Sequence, residues 1–501
     1  MTVAAAAPRG RWPKARPVPG RLLRLELHRN AMVWILPLIA VLFWFDSYRP
    51  TAALPPLWSQ RTFYNMGQGH TLIDFGPFVA GVAAWMGSRD GRHAMFDLVT
   101  ATARPRWTAQ LATWAATACW AVGAYLAFVG VLYLLIAQQV SWGGPPWWPV
   151  AAGAAGVAAF SALGFAAGAH FPSRFAAPLA AFGGFLAMAV SSQTGFKYSS
   201  GWALILPTNS NHNYGSDAGI FFPYLPDLQI ARVMFLAGLA VAAVGSVGLP
   251  ARAGSLRLRR FAAVITLAGL AAVGTGVGLA ETAQPGPRGT VIPALHDAAG
   301  DRPIPYSPVC GHAATVPVCL HPAYRPYLRD VTAALRPVLS QVADLPGAPV
   351  RATQIAATIE GDHLTSGQVM TLSGSPPTLR LPLGNIGVPD AFGFNTGDFI
   401  DQVRLEFVHA FVGAGMGIGT QAQQALQAAL LRSAGVPLAA QAQVLSSSPW
   451  AEPGPGPGTA DGAVDTAARR FTALPAAARH SWLADHLGAL RAGRVTLTEV
   501  P

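Results

Sequence analysis

The sequence predicts an α-helical integral membrane bundle of about seven spans, followed by a mostly helical α+β extracytoplasmic domain. Three observations carry this. Only 11% of the 501 residues are charged, 52% are hydrophobic and the mean hydropathy is +0.36, whereas a soluble globular chain carries roughly 25% charged residues. Apolar stretches approaching the roughly 20 residues that cross a bilayer core recur up to Glu281 and then stop. The charge balance changes at the same point: residues 1–281 hold 20 Arg and Lys against 8 acids, and residues 282–501 hold 14 against 15.

The first segment, 1–30, is basic and ends in Arg21-Leu-Leu-Arg-Leu-Glu-Leu-His-Arg29. Helical spacing puts Arg21, Arg24 and His28 on one stripe and Leu22, Leu23 and Leu27 around the other side, the pattern of an amphipathic helix lying on the inner leaflet. The transmembrane domain, 31–281, contains seven apolar stretches: 31–45, 72–87, 107–137, 147–169, 175–191, 228–248 and 261–280. The first begins only at Ala31, and the Asp46-Ser-Tyr-Arg-Pro after it lacks a small-x-small cleavage site, so it reads as a retained anchor. The third is long enough to protrude beyond a bilayer. Small residues through 151–169, including Gly164-Phe-Ala-Ala-Gly168, favour close helix packing.

Orientation follows from the positive-inside rule. The N-terminal segment, 89–106, Arg174 and 252–260 together hold 16 basic residues; the alternate connections, 46–71, 138–146 and 192–227, hold three. The first set is therefore expected in the cytoplasm. With seven crossings the N-terminus is inside and everything after Glu281 outside, in a multi-pass cell-membrane protein. Trp44, Trp58, Trp107, Trp142, Trp147 and Trp148 lie near span ends, where amphipathic rings favour the interface. Asp74 and Arg232 are the ionisable residues inside the spans, both toward the outer side, expected to pair, to line a polar vestibule or to snorkel to the interface.

Between the second and third stretches, Ser88-Arg-Asp-Gly-Arg92 is followed by an amphipathic turn through Met95, Phe96, Asp97, Leu98 and Val99, then by Arg104-Pro-Arg-Trp107. This connection, with the amphipathic helix at 21–29, resembles the cytoplasmic connection and elbow helix of exporter-type ABC transporter permeases over roughly residues 20–250. The Arg-over-Lys bias and the abundance of Ala, Gly and Pro resemble the actinobacterial kind. The resemblance implies that a separate cytoplasmic ABC ATPase docks on the connection, with Arg89, Asp90, Arg92, Phe96, Asp97 and Arg104 as contacts. Coupling of this type needs an apolar side to pack on the partner and charges to orient it. Those permeases commonly have six spans and end in the cytoplasm, whereas this chain adds a seventh span and a large outer domain.

The composition also excludes. Lys14 and Lys197 are the two lysines, and neither stands in a Gly-x-x-x-x-Gly-Lys-Ser/Thr loop, so any ATPase is another polypeptide. The basicity lies in short segments between apolar runs, and no finger, RNP or basic-helix pattern accompanies it. The expected partner is anionic lipid rather than nucleic acid. Whether two copies pair in a homodimer is left open.

The outer part divides into a linker, 282–309, opening with Gln284-Pro-Gly-Pro-Arg-Gly, and a domain, 310–501. Cys310 and Cys319 read as a disulfide on the outside face; the alternative, a metal pair with His312 and His321, lacks recognisable zinc spacing. Helices are expected at 323–345, 398–413, 463–474 and 475–492, the last stopping at Gly493. Another opens at a Thr420-x-x-Gln423 capping box. Strands are expected at 350–360 and 378–383, and a Pro-Gly loop at 451–459.

Leu405-Glu-Phe-Val-His409 matches four of five positions of the zinc-peptidase His-Glu-x-x-His, with Leu in place of the first ligand. The reading is an amphipathic helix burying Phe399, Val403, Phe407 and Ala410, with no catalytic, metal or cofactor site, and the chain is not expected to be an enzyme. The function expected is a permease-like membrane subunit that pairs with a separate ATPase to move an unknown substrate. Two alternatives stand beside it: a membrane-anchored interaction or sensing protein acting through its ectodomain and, more weakly, a degenerate zinc-peptidase-like ectodomain.

Overall fold

The computed structural model describes residues 19–49, 57–58, 70–92, 105–197, 201–207, 219–250, 255–286, 289–356, 369–385, 396–413, 419–436 and 462–501. The first half is helical: α1 (Pro19–His28), α2 (Met32–Phe43), α3 (His70–Arg92), α4 (Arg106–Ala137), α5 (Trp147–His170), α6 (Ala176–Lys197), α7 (Asp227–Val247) and α8 (Leu256–Glu281). α2 runs on into a π-helical turn, Trp44–Tyr48. All seven apolar stretches are thus helical. Four helices, α4, α5, α7 and α8, are individually long and apolar enough to cross a membrane, and α1–α2 makes a fifth if that bent pair is one span. The other two have shorter apolar runs, because α3 contains Asp74 and ends in Arg89, Asp90 and Arg92, and α6 ends in the polar run from Ser191 to Lys197.

α5 lies between α3 and α7, all three running in one direction. Leu72 of α3 faces Gly156, Ala80 faces Gly164 and Ala84 faces Gly168. A Cβ on Gly164 or Gly168 would strike the carbonyl of Ala80 or Ala84, so the two backbones touch where side chains normally separate them. Gly238 of α7 and Gly269 of α8 bring that antiparallel pair together in the same way, a Cβ on Gly238 falling 2.8 Å from the Gly269 carbonyl. Large apolar side chains on α6 (Leu179, Phe182, Phe185) and α8 (Phe261, Val264, Leu267) point outward, a distribution that suits hydrocarbon rather than water.

After α8 comes a short hairpin, β1 (Gln284–Gly286) with β2 (Gly289–Val291). Ile292 beyond it is buried with Leu204, Leu228, Ala231 and Ala280, so the expected linker is folded against the ends of α7 and α8. A five-stranded sheet follows: β3 (Val309–Ala313), β4 (Val316–Leu320), β5 (Arg351–Gln354), β6 (Thr371–Ser373) and β7 (Thr378–Leu381), in the order β3-β4-β5-β7-β6. The outer pairs are antiparallel and the central β4–β5 and β5–β7 pairs parallel. Period-2 alternation puts Val318, Ala352 and Leu379 on the covered face. α9 (Leu328–Val342), α10 (Thr396–Val412), α11 (Gln421–Ser433), α12 (Gly462–Ala473) and α13 (Ala476–Arg491) supply the rest of the core, including Leu335, Phe399, Phe407, Phe411, Leu426 and Phe471.

Cys310 and Cys319 sit directly opposite each other in the β3–β4 hairpin and form a disulfide. Closing so short a loop contributes roughly 2 to 3 kcal/mol in the chain-entropy model. The hairpin itself was not expected; only the crosslink was. The helix expected at 323–345 is a 3-10 segment, Pro322–Tyr327, and then α9, because Pro322 and Pro326 remove two backbone donors from the first turns. The first expected strand is described only at Arg351–Gln354 before the described residues stop at 356, and β6 was not expected. The capping box is present in both halves: Gln423 N donates to Thr420 Oγ1 and Thr420 N to Gln423 Oε1. The Gln423 amide also donates to the carbonyls of Val412 and Leu490, joining α10, α11 and α13. The expected loop at 451–459 lies outside the described residues.

Candidate functional site

At the end of the bundle that carries α1, the elbow is built by few residues. α1 and α2 meet at a bend of 54°. Buried Asn30 fills the joint: its Oδ1 accepts from Met32 N at 3.0 Å and its Nδ2 donates to Thr117 Oγ1 on α4 at 2.9 Å. Trp120 Nε1 donates to the Leu27 carbonyl at 2.9 Å, fastening α1 to α4. Glu26, the one acid before Asp46 in the sequence, is only 8% exposed and receives both guanidinium nitrogens of Arg89, at 3.1 and 3.3 Å. A bidentate, partly desolvated pair of this kind has geometric specificity that exposed pairs lack.

Arg89, Asp90 and Arg92 of the expected docking set thus occupy the last turn of α3. Asp90 Oδ1 lies 3.8 Å from Arg89 Nε. Arg92 stacks 3.4 Å above the Trp85 ring and donates to the Trp85 carbonyl, so both arginines are folded back on the bundle. Phe96, Asp97 and Arg104 lie outside the described residues.

At the opposite end, Asp74 and Arg232 are each 5% exposed and have separate partners. Asp74 Oδ2 is 2.9 Å from Ser47 Oγ on the π-helical turn, and Arg232 donates to the Leu204 carbonyl at 2.7 Å. Fully buried Asp227, opening α7, accepts from Ile292 N at 3.0 Å and lies 3.3 Å from His296 Nδ1. His296 Nε2 reaches Asp301 at 3.1 Å. The hydrogen bond to Asp301, and behind it the Asp227 charge, raise the His296 pKa above the ordinary imidazole value. The stabilisation from the charged ring is therefore complete below about pH 6.5 and is lost as pH rises through the raised value. In NMR titration of the full-length protein, Asp301→Asn is expected to move the His296 midpoint downward; an unmoved midpoint refutes this assignment.

The C-terminal domain packs against the same end. His321, 0% exposed, is packed among Trp142 from the α4–α5 connection, Phe221 from the segment before α7 and Tyr306, with ring centroids 4.6, 4.9 and 4.2 Å away. Its Nδ1 accepts from Ala323 N, and burial pushes its pKa down to about 4, so the ring is neutral. Leu57 and Ile220 join the same core.

On α10, Phe399, Val403 and Phe407 are buried as expected, with Ala410 partly so. Glu406 accepts from Met370 N at 3.3 Å and its pKa is pushed up to about 7 by burial. His409 Nδ1 lies 3.4 Å from the Gln427 amide. Among the described residues, no three His, Cys, Asp or Glu side chains converge as metal ligands. His480 bonds the Ala343 carbonyl, and Trp482 packs on Phe471 and His486.

Sequence reasoning did not find Glu26, Ser47, His296 or His321 as contacts. One of them left a signal: a single acid within a strongly basic segment is a candidate ion-pair partner. Set against known proteins, the chain matches no protein-family model, no curated protein and no solved structure.

Proposed function

We propose that this chain is the permease-like membrane subunit of an ABC-type transport system, with seven spans, a cytoplasmic N-terminus and a separate ATPase docked on the α3–α4 connection. The observation that carries the reading is the Glu26–Arg89 pair. It ties the elbow helix to the last turn before that connection, so a force applied at the connection reaches α1 and α3 together. The span count draws support from the other end. Leu57, Trp142 and Phe221, from three alternate connections, all pack with the ectodomain, as an odd number of crossings requires.

That docking also favours a second reading, a membrane-anchored sensing or interaction protein whose bundle holds the ectodomain at the surface. Affinity purification of the full-length protein in mild detergent separates the two. Wild type is expected to recover an ATPase recognisable by its P-loop sequence, and Arg92→Glu/Phe96→Ala to lose about tenfold or more of it, the ratio set by ~1.4 kcal/mol of contact energy. Recovery of no ATPase with either form ends the transport reading in favour of the second.

A further inference from the structure

Asp74 is a carboxyl group inside an apolar helix, about one turn from its start, and buried to 5% exposure. An ionised side chain at such a depth costs several kcal/mol, and an unpaired one sheds its charge instead. Its hydrogen-bond partner among the described residues is neither an arginine nor a lysine but the hydroxyl of Ser47. A hydroxyl both donates and accepts, so it satisfies the carboxylate by donating and the carboxylic acid by accepting. A carboxyl–hydroxyl pair is therefore bonded in both protonation states, which is what a group that exchanges a proton requires.

Ser47 lies on the π-helical turn Trp44–Tyr48, a local widening that is rare in helices and concentrated at functional sites. The groups facing Asp74 from each packed element are few. Among the described residues the π-helical turn contributes Ser47 and the exposed side chain of Asp46, while Tyr125 of α4 meets the neighbouring Phe75, edge-on at 5.7 Å. Within α5 the one ionisable residue is His170, at the far end. On α3 itself His70 precedes Asp74 by one turn.

The geometry points to Asp74 as a proton-binding site of the membrane bundle, held as a neutral carboxylic acid and exchanging its proton through Ser47 toward the ectodomain end. This goes beyond the transport reading and holds whether or not an ATPase docks.

Dicyclohexylcarbodiimide tests it on the full-length protein in detergent. The reagent captures protonated carboxyls in apolar surroundings: the acid's proton goes to a carbodiimide nitrogen, its oxygen bonds the central carbon, and acyl migration gives a stable N-acylurea without a co-reactant. Peptide mapping is expected to place an adduct on Asp74, with a rate that falls as pH is raised and the acid is lost. Asp74→Asn should remove that adduct, and Ser47→Ala should move the midpoint by about one unit or more. The infrared C=O band of a protonated carboxyl, lost in Asp74→Asn, reads the same state without reagent access. No adduct at Asp74 together with no such band, or a labelling rate flat with pH, overturns the proposal; an unmoved midpoint in Ser47→Ala overturns the exchange through that hydroxyl.

Discussion

Gly168→Leu is expected to abolish the folded membrane bundle. The new Cβ would lie against the Ala84 carbonyl, and three further carbons would follow it into the contact between α5 and α3. Overpacking a core ordinarily costs about 1 to 3 kcal/mol because side chains shift rotamers to make room. Here the obstacle is backbone against backbone, so room is made only by separating α3 from the helix at the centre of the bundle. We expect a loss of about 4 kcal/mol or more, in the range reserved for disrupted cores. Fluorescence-detected size exclusion in mild detergent should show the monodisperse peak disappear. Gly274→Leu on the outward side of α8, where a Cβ meets nothing within 4 Å, should elute and melt as wild type. A Gly168→Leu protein that melts with wild type would show that α3 and α5 do not touch as described.

Glu406→Gln is expected to stabilise the C-terminal domain, and only at neutral and alkaline pH. Burial pushes the Glu406 pKa up from 4.5 to about 7. The folded state then holds a proton that the unfolded chain has released, so stability falls as pH rises from about 4.5 to about 7 and is flat beyond. A shift of this size is worth roughly 3 to 4 kcal/mol. Gln cannot ionise and keeps an oxygen to accept from Met370 N. At about pH 8 the transition of the variant's C-terminal domain should lie roughly 7 to 14 °C above wild type, and at about pH 4 the two should coincide. Equal melting at both pH values would mean that Glu406 is solvated in the folded protein.

The parts legible in the sequence were those set by local chemistry. Every apolar stretch is helical because nothing but a helix satisfies its own backbone without water, and Thr420 with Gln423 caps α11 because both atoms needed lie within one turn. The Cys310–Cys319 crosslink was legible from two cysteines nine residues apart in the half with balanced charge. Of the strands around it, β5 and β7 fall within the stretches expected as strands, 350–360 and 378–383, whereas β3, β4 and β6 were not expected; the parallel pairing of β4, β5 and β7 is non-local, so it follows from the covering helices rather than from neighbouring residues. The site residues divide in the same way. Arg89 was marked by its position before the connection, but Glu26, 63 residues away in sequence, becomes its partner only when α1 lies across α3 and α4. Asp74 was legible as a misplaced charge, yet its partner Ser47 was hidden in a turn whose π geometry has no sequence signature.

The 32 residues of α4 make a rod of about 48 Å, against a hydrocarbon core of roughly 30 Å. A tilt of about 20°, ordinary for spanning helices, shortens its projection by only about 3 Å. A helix of that length crossing a bilayer would leave about 15 Å clear of the hydrocarbon. At its far end Tyr133 is bonded to the Pro146 carbonyl and Trp142 is seated against His321. A rigid rod of that length sets the spacing between the Asn30–Thr117 joint toward one end and the Trp142–His321 contact beyond the other, so a tilt of the helix moves both at once.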